Sequence, residues 1–311
     1  LLAIGGTPSQ LPVPHSDAAG IHHFWTFEDA RAIKADIEAA EDSVVIGAGL
    51  LGIDLAAITA AQGVRGHYLM RGNRWWRYAL SEDGAEIIHT ALRERDVTPV
   101  FGSGVDHFEV DDTDRVTAAI DPNGDRYPAD FVGIAVGLNF NTEIVEQTDL
   151  EVDGGIVVDA YMRTNDPNIF AAGDVTQFDD RVLGARAQNG AWGSARQQGV
   201  IAARNMADYG TEPFEWVSSY SITHFDFPFL SFGHPTLGDD TAEARFSATE
   251  WRRVAFRDGR IVGGVLIGDL SPQSKFKQLM RDRRVVADQR EVLMQETFEL
   301  EELDLGPTIP E

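Results

Sequence analysis

Three glycines, Gly47, Gly49 and Gly52, have the spacing GxGxxG, which can bind a dinucleotide. They directly follow the β-branched run Ser43–Ile46 and open an apolar segment that predicts a helix to about Gln62. In this context the first glycine permits a tight turn, the second lets the backbone approach a pyrophosphate, and the third allows close helix–strand packing. The helix N-terminus would attract the pyrophosphate. The alternative is a glycine turn that serves packing alone.

The end of the next predicted strand is where a carboxylate usually binds the ribose 2′-hydroxyl of NAD. Met70 occupies this place, Arg71 follows it, and Arg74 comes soon after. Guanidinium groups pair with phosphate in forked, charge-assisted contacts, so this pattern slightly favours NADPH over NADH. Two alternatives stay open: NADH is the cofactor, or the arginines pair with surface carboxylates and the site binds neither.

The elements that must position these residues follow an α/β order. After a helix predicted near residues 26–40, residues 43–96 show the order strand, helix, strand, helix. Residues 105–137 change to a β-meander and a closing strand. Short strands that alternate with helices are typical of a parallel sheet. We therefore predict a Rossmann-like nucleotide-binding domain rather than a helix bundle or a sandwich.

The rest of the chain predicts two further regions. The first contains a strand over 156–158 and a helix from Trp192 to about Asp208. The second has a hairpin that turns at Asp258–Gly259, followed by a helix near residues 274–284, and it predicts an α+β domain. Its acidic tail after Gln295 is expected to be loosely held.

The aromatic-rich stretch Tyr220–Phe232 predicts either a homodimer or partner surface or an ordinary domain core. Trp75, Trp76 and Tyr78 follow the second strand and either lie against the nicotinamide nucleotide or pack between domains, which we favour. His234, in the sequence His-Pro-Thr, is interpreted as part of a turn. The histidines show no metal-ligand spacing, so no metal site is expected.

A second motif carries a resemblance to a known family. Thr164, then five residues, then Phe170–Asp174 resembles the second flavin motif of the pyridine nucleotide-disulfide oxidoreductase superfamily, whose Asp binds the ribityl chain of FAD. Trp192, Ala195 and Gln198 are similar to the helix start beside the isoalloxazine in rubredoxin-reductase-like and nitrite-reductase flavoproteins. These two segments lie in the order that the superfamily requires.

Two further segments extend the resemblance over essentially the whole chain. Ala3–Gly6 resembles the strand end that closes the first FAD segment, with Ile4 where Thr is usual. Ala135–Thr142 resembles the exit from the NAD(P) domain, with Phe140 in place of Pro. Residues 260–268 are similar to the third domain. The implied domains are 1–25 and 144–210 for FAD, 26–143 for NAD(P), and 211–311 as a C-terminal interface domain.

The resemblance implies an FAD-dependent NAD(P)H oxidoreductase whose electrons pass to a protein or small-molecule acceptor. Asp54 stands where relatives usually carry a Glu that faces the nicotinamide side. The implied NAD(P) site is Gly47, Gly49, Leu51, Gly52, Asp54, Arg71, Arg74 and Gly137. The implied FAD site is Gly5, Gly173, Asp174, Trp192 and Ala195.

The superfamily's first GxGxxG is expected roughly 100 residues before Leu1, so the chain is interpreted as N-terminally truncated. A disulfide, peroxide or oxygen reductase with its cysteine upstream is one alternative, because the chain itself contains no Cys. A non-catalytic nucleotide-binding protein is the other, because Met70 replaces the ribose acid.

The net charge of the chain excludes one class of partner and suggests the salt concentration in which the protein works. The chain has 50 acidic against 26 basic residues and a net charge of -24, which would repel nucleic acid. Lysine occurs only at Lys34, Lys275 and Lys277, and we interpret the acid excess with scarce lysine as adaptation to concentrated salt. No apolar run reaches the ~18 residues of a membrane helix, and we expect a cytoplasmic protein.

Overall fold

The computed structural model describes residues 1–207 and 212–305. Its strands are β1 Gly6–Pro8, β2 Ile21–His23, β3 Asp42–Ile46, β4 Arg65–Met70, β5 Val97–Phe101, β6 His107–Val110, β7 Val116–Ile120, β8 Arg126–Pro128, β9 Phe131–Ile134, β10 Leu138–Phe140, β11 Ile156–Val158, β12 Thr176–Asp180, β13 Ala185–Ala187, β14 Ser219–Ile222, β15 Phe229–Gly233, β16 Asp240–Arg245, β17 Trp251–Arg257 and β18 Arg260–Ile267. Its α-helices are α1 Phe27–Ile37, α2 Leu50–Ala61, α3 Glu82–Arg93, α4 Trp192–Met206, α5 Gln273–Arg281 and α6 Arg290–Leu293.

The chain separates into two compact units. Unit 1 contains Leu1–Gly6, Phe140–Ile222 and Phe227–Glu311, and unit 2 contains Thr7–Asn139 and Thr223–Asp226. Each unit has its own apolar core. No α-helix in the described part of the chain is both long and apolar enough to cross a membrane.

Unit 2 is built on a five-stranded parallel sheet in the order β2-β9-β3-β4-β5. Ile46, at the end of β3, lies opposite both Leu69 and Ile134, so the carboxyl ends of these strands meet at one edge. The antiparallel sheet β6-β7-β8 is the predicted meander. The strands and helices that were predicted therefore occur in the predicted order.

Helix starts in unit 2 follow from local chemistry. Thr26 and Asp29 form a capping box in which Thr26 Oγ1 accepts from the Asp29 N–H at 3.1 Å and the Asp29 carboxylate accepts from the Thr26 N–H at 2.6 Å. Ser81 caps α3 in the same way through the Gly84 N–H. Gly49 caps α2 without a side-chain hydrogen bond.

Two strands of this sheet were not predicted. β2 and β5 occupy the two edges, and β5 contains Pro99. Proline is tolerated at an edge because its missing N–H can face away from the ladder. A three-residue strand and a proline-containing strand give weak sequence signals, which explains why both were missed.

Unit 1 contains the small sheet β11-β12-β13, helix α4, and a five-stranded antiparallel sheet in the order β14-β15-β18-β17-β16. The hairpin predicted at Asp258–Gly259 joins β17 to β18, and Asp258 has a positive φ of 50°. The predicted helix end at Asp208 lies outside the described residues, as does the predicted boundary between residues 210 and 211.

The aromatic stretch after Tyr220 supplies a core. Phe229 and Phe232 on β15 are fully buried, and Phe232 stacks on Phe276 of α5 with ring centroids 5.6 Å apart. Of the two sequence interpretations, the structure therefore supports an ordinary domain core.

Residues 296–305, the part of the tail that the structure describes, are docked on the C-terminal domain, contrary to the sequence prediction. Phe298 and Leu303 are buried in the core of the C-terminal sheet. The guanidinium of buried Arg252 donates to the carbonyls of Leu293 and Gln295, each at 2.8 Å, and to that of Glu296 at 3.2 Å. The acidic composition of the segment drew attention away from these two apolar side chains, whose burial is enough to dock the segment on the sheet.

Candidate functional site

The glycine turn between β3 and α2 requires glycine at two positions for packing. Gly47 has φ +120°, and a Cβ there would collide with the carbonyl of Ala135. A Cβ on Gly52 would collide with the carbonyl of Gly47 and the hydroxyl of Tyr68. These two residues bring the helix close to the sheet, as the GxGxxG pattern predicts.

Gly49 differs because a Cβ there would meet no atom within 4 Å. Its carbonyl accepts from Trp75 Nε1 at 3.2 Å and from the Tyr68 hydroxyl at 3.4 Å, so the turn is held although this position is open. Leu51 is half-buried on the first turn of α2. Packing does not explain a glycine at residue 49, whereas the close approach of a dinucleotide pyrophosphate does.

Trp75 braces this turn from the loop after β4. Its side chain is fully buried, and its main-chain N–H donates to Nε2 of His89 at 3.1 Å. The Trp76 N–H donates to the Ala48 carbonyl at 3.2 Å. Burial lowers the pKa of His89, which keeps Nε2 free to accept, while Nδ1 lies 3.3 Å from Glu86. Trp75 therefore packs within unit 2, whereas Tyr78, expected to pack as well, is 66% exposed.

The two arginines after Met70 have different surroundings. Met70 is fully buried, so the last residue of β4 presents no polar group. Arg71 is exposed and forms no hydrogen bond or ion pair with the residues that the structure describes. Arg74 instead donates to the carbonyls of Leu80 and Arg77 at 2.9 and 3.1 Å. Only Arg71 therefore has a guanidinium available for a ribose phosphate.

Gly137 and Asp54 complete the predicted NAD(P) set. Gly137 follows β9, whose carboxyl end lies beside that of β3, and so it lies at the same sheet edge as the glycine turn. Asp54 lies on α2, and its Oδ1 is 3.5 Å from Nε2 of His224. His224 belongs to the short segment Thr223–Asp226, which sequence reasoning did not connect with this site.

In unit 1, the predicted flavin motif forms a fixed turn. Gly173 has φ +89°, and its N–H donates to the buried side-chain oxygen of Gln198 at 2.7 Å. The Thr176 hydroxyl lies 2.8 Å from the Gly173 carbonyl and 3.1 Å from the same Gln198 oxygen. Gln198 therefore joins helix α4 to the turn and sets its conformation.

Asp174 follows this turn, and burial raises the pKa of its carboxyl. The carboxyl has no side-chain or neighbouring main-chain partner among the described residues, its own backbone excepted. Ala195 Cβ lies 3.7 Å from where a Gly173 Cβ would stand, and Trp192 is 81% exposed. A half-buried acceptor without a partner fits a ligand that carries hydroxyl groups, such as the ribityl chain.

Gly5 belongs to the same group because the first residues of the chain run beside the motif. Leu2 exchanges main-chain hydrogen bonds with Phe170 and Ala172 at 2.7 and 2.9 Å. The Gly5 carbonyl accepts from the Asn141 N–H at 3.0 Å. The five predicted FAD residues all lie in unit 1, and the eight predicted NAD(P) residues all lie in unit 2.

Comparison with known proteins identifies the family. Residues 1–199 match the family model described as pyridine nucleotide-disulphide oxidoreductase. The chain belongs to this family. Residues 223–284 also match the rubredoxin NAD+ reductase C-terminal domain. Both matches confirm the superfamily predicted from the motifs.

Individual relatives agree with the family. Putidaredoxin reductase CamA of Pseudomonas putida is 31% identical over 230 residues, which are 71% of this chain and 54% of that protein. The assimilatory nitrate reductase electron transfer subunit of Bacillus subtilis (strain 168) is 23% identical over 302 residues, 96% of this chain and 38% of that protein. The chain thus spans about half the length of these relatives, or less.

A solved structure of the putidaredoxin reductase–putidaredoxin complex matches with a TM-score of 0.88 and 26% identity, covering 97% of this chain and 73% of that chain. This likeness confirms the predicted α/β fold with a C-terminal sheet domain.

Proposed function

We propose that the protein to which this chain belongs is an FAD-dependent NAD(P)H oxidoreductase that delivers electrons to a redox acceptor. The open position at Gly49, in a turn whose other two glycines are required by packing, is the observation that carries this proposal. Packing within the turn does not require a glycine at this position, whereas the close approach of a bound dinucleotide does.

The chain's own residues bind the two dinucleotide cofactors and orient them. Gly47, Gly49 and Gly52 seat the pyrophosphate at the start of α2, with Leu51 on its first turn, and Arg71 meets the ribose end. Gly137 and Asp54 border the same site. When bound, FAD and the nicotinamide together supply hydride transfer, which needs no acid or base from the protein. Arg74, assigned to this site from the sequence, stabilises the adjacent loop instead.

Asp174 is proposed to accept hydrogen bonds from the FAD ribityl chain, with Gly5, Gly173 and Ala195 lining the approach. Gln198 sets the turn that carries Asp174 and was missing from the predicted site. Exposed Trp192 lies at the start of α4, where the resemblance puts the flavin ring.

The electron acceptor is proposed to be a small redox protein. Several relatives are named as reductases of such proteins, including putidaredoxin reductase and rhodocoxin reductase. Another relative is named NADH oxidase, which keeps oxygen as a second candidate acceptor. The disulfide-reductase alternative requires a cysteine that the 311 residues do not contain.

Stopped-flow mixing tests the function. The full-length protein, purified with FAD, would be mixed anaerobically with NADPH or NADH while flavin absorbance near 450 nm is followed. We expect bleaching by at least one nucleotide and a slower reaction for Gly49→Ala. A protein that holds FAD and shows no bleaching with either nucleotide would be a binding protein and not a reductase.

Several broader properties are proposed with this function. NADPH is slightly favoured over NADH because Met70 replaces the ribose acid and an exposed arginine, Arg71, follows it. We propose the four-part domain division given above, a homodimer, a cytoplasmic location and a salt-adapted surface, the last supported by the charge of -24. Thermal melting in 0.1 and 2 M KCl tests salt adaptation, since the melting temperature should rise with KCl; a fall would contradict it.

A further inference from the structure

Strand β14 lies at one edge of the C-terminal sheet and pairs there with β15. The Gly233 N–H donates to the carbonyl of Ser218, the residue before β14, at 2.9 Å, so the main chain of Ser218 faces β15. Residues of an antiparallel strand alternate in this respect, so the main-chain groups of Ser219 and Ser221 point away from β15. These groups form no hydrogen bond within the described part of the chain, and both residues are exposed. β14 also contains neither proline nor a charged residue, the usual guards of a sheet edge.

Two basic side chains of α5, Lys277 and Arg281, lie beside this edge. Lys277 Nζ donates to the Ser219 hydroxyl at 3.1 Å, and Arg281 follows about one turn later on the same helix. Both line a groove of about 520 Å³, whose other lining residues are Leu270, Ser271, Gln273 and Ser274. The open strand edge is therefore bordered by two cations.

Lys277 and Arg281 have no acidic partner among the residues that the structure describes, although the chain has 50 acidic residues against 26 basic ones. By contrast, Lys275 on the same helix pairs with Glu299 at 2.8 Å. Burial and, to a smaller extent, the charge of Arg281 lower the pKa of Lys277. Like charges four residues apart on a helix repel each other, so a ligand that carries carboxylates would stabilise this pair.

We propose that an acidic, extended segment of a partner protein adds to β14 as a further strand, with its main chain bonded to Ser219 and Ser221 and its carboxylates paired with Lys277 and Arg281. In strand addition, main-chain hydrogen bonds supply affinity and side chains select the sequence. A second copy of this chain is a poorer occupant, because β14 carries no acidic residue to meet Lys277. The proposal does not depend on nucleotide or flavin binding.

Fluorescence anisotropy with a labelled peptide in which Glu alternates with Val tests the proposal. The full-length protein, purified with FAD, would be titrated at the lowest KCl concentration that keeps it folded by circular dichroism. We expect saturable binding that the combined change Lys277→Ala/Arg281→Ala weakens about fivefold, since two exposed charge pairs are lost. Ser221→Pro should weaken binding at least as much, because proline removes an outward N–H, and an edge strand accepts proline without unfolding.

Controls separate strand addition from simple attraction of charge. The matched control Arg31→Ala/Lys34→Ala removes the same charge from exposed side chains of α1 and should leave peptide binding unchanged. The same peptide N-methylated at every residue keeps its carboxylates but loses its main-chain donors, so it should bind more weakly than the unmethylated peptide.

Three results would overturn the proposal. The first is no binding of the acidic peptide to the wild type, and the second is equal affinity for the methylated and unmethylated peptides. The third is a wild-type dimer, detected by light scattering, that Ser221→Pro converts to a monomer, because a second copy of the chain would then occupy the edge.

Discussion

The main-chain N–H of Trp75 donates to Nε2 of His89 at 3.1 Å, and Trp75 Nε1 in turn donates to the carbonyl of Gly49 at 3.2 Å. A buried imidazole is thereby linked to the dinucleotide turn through one residue. The bond requires Nε2 to be unprotonated, so the neutral form of His89 is part of the folded structure.

We predict that lowering the pH reduces the free energy of unfolding of unit 2, because the His89 imidazole becomes protonated. Burial lowers the pKa of folded His89 below its ordinary value of 6.5, so its contribution to stability is complete above pH 6.5 and is lost as pH falls towards the folded pKa. His89→Gln, which can accept the Trp75 bond without titrating, should lose about 1 kcal/mol less between pH 7 and 5.5 than the wild type. Urea unfolding at both pH values measures this.

His23 and His67 also have pKa values lowered by burial and contribute to the same acid loss, so the comparison is between variant and wild type. His107→Gln changes an exposed imidazole and serves as the control. Equal pH slopes for His89→Gln and the wild type would show that His89 does not carry the effect.

Two glycine substitutions should have opposite consequences. Gly52→Ala should destabilise the chain by about 2 kcal/mol, because its Cβ collides with the Gly47 carbonyl. Gly49→Ala should leave the unfolding free energy unchanged, because its Cβ meets open space, yet weaken NAD(P)H binding at least tenfold. Urea unfolding and nucleotide titration on both variants check the contrast. Normal nucleotide affinity in Gly49→Ala would contradict the pyrophosphate site.

Two arginine substitutions likewise separate binding from stability. Arg71→Ala should weaken NADPH binding about tenfold and leave NADH binding nearly unchanged, because a guanidinium–phosphate pair is lost. Arg74→Ala should cost about 1–2 kcal/mol of stability, since its bonds to the Leu80 and Arg77 carbonyls hold the loop. The ratio of the two dissociation constants is the measurement. A ratio unchanged by Arg71→Ala would remove the argument for NADPH.

Flavin retention should depend on Asp174. In the full-length protein, Asp174→Ala should lower the ratio of bound FAD to protein several-fold, because the ribityl hydroxyls lose their acceptor. Burial raises the pKa of this carboxyl, so retention should also fall on acidification at a higher pH than an ordinary Asp would give. Absorbance after gel filtration measures the ratio. Asp153→Ala, at an exposed acid of the same unit, is the control and should retain full flavin.

Sequence patterns predicted the features that depend on neighbours along the chain. The GxGxxG turn, its helix and the meander are local, and each appears where expected. His224 was missed because 169 residues separate it from Asp54 and a lone histidine in an aromatic stretch carries no periodic signal. Composition likewise could not show that the Arg74 guanidinium donates to two loop carbonyls.

The contacts by which Arg252 holds the C-terminal segment differ from surface ion pairs in how they respond to salt and pH. Its guanidinium donates to carbonyl oxygens and lies over the rings of Phe246, Phe276 and Phe298, at 5.0, 5.6 and 5.8 Å from their centroids. Carbonyl dipoles and aromatic rings do not titrate, and buried contacts are screened far less than surface ion pairs. The contacts of Arg252 with the C-terminal segment therefore depend little on salt concentration or pH, unlike the Lys275–Glu299 ion pair of the same segment.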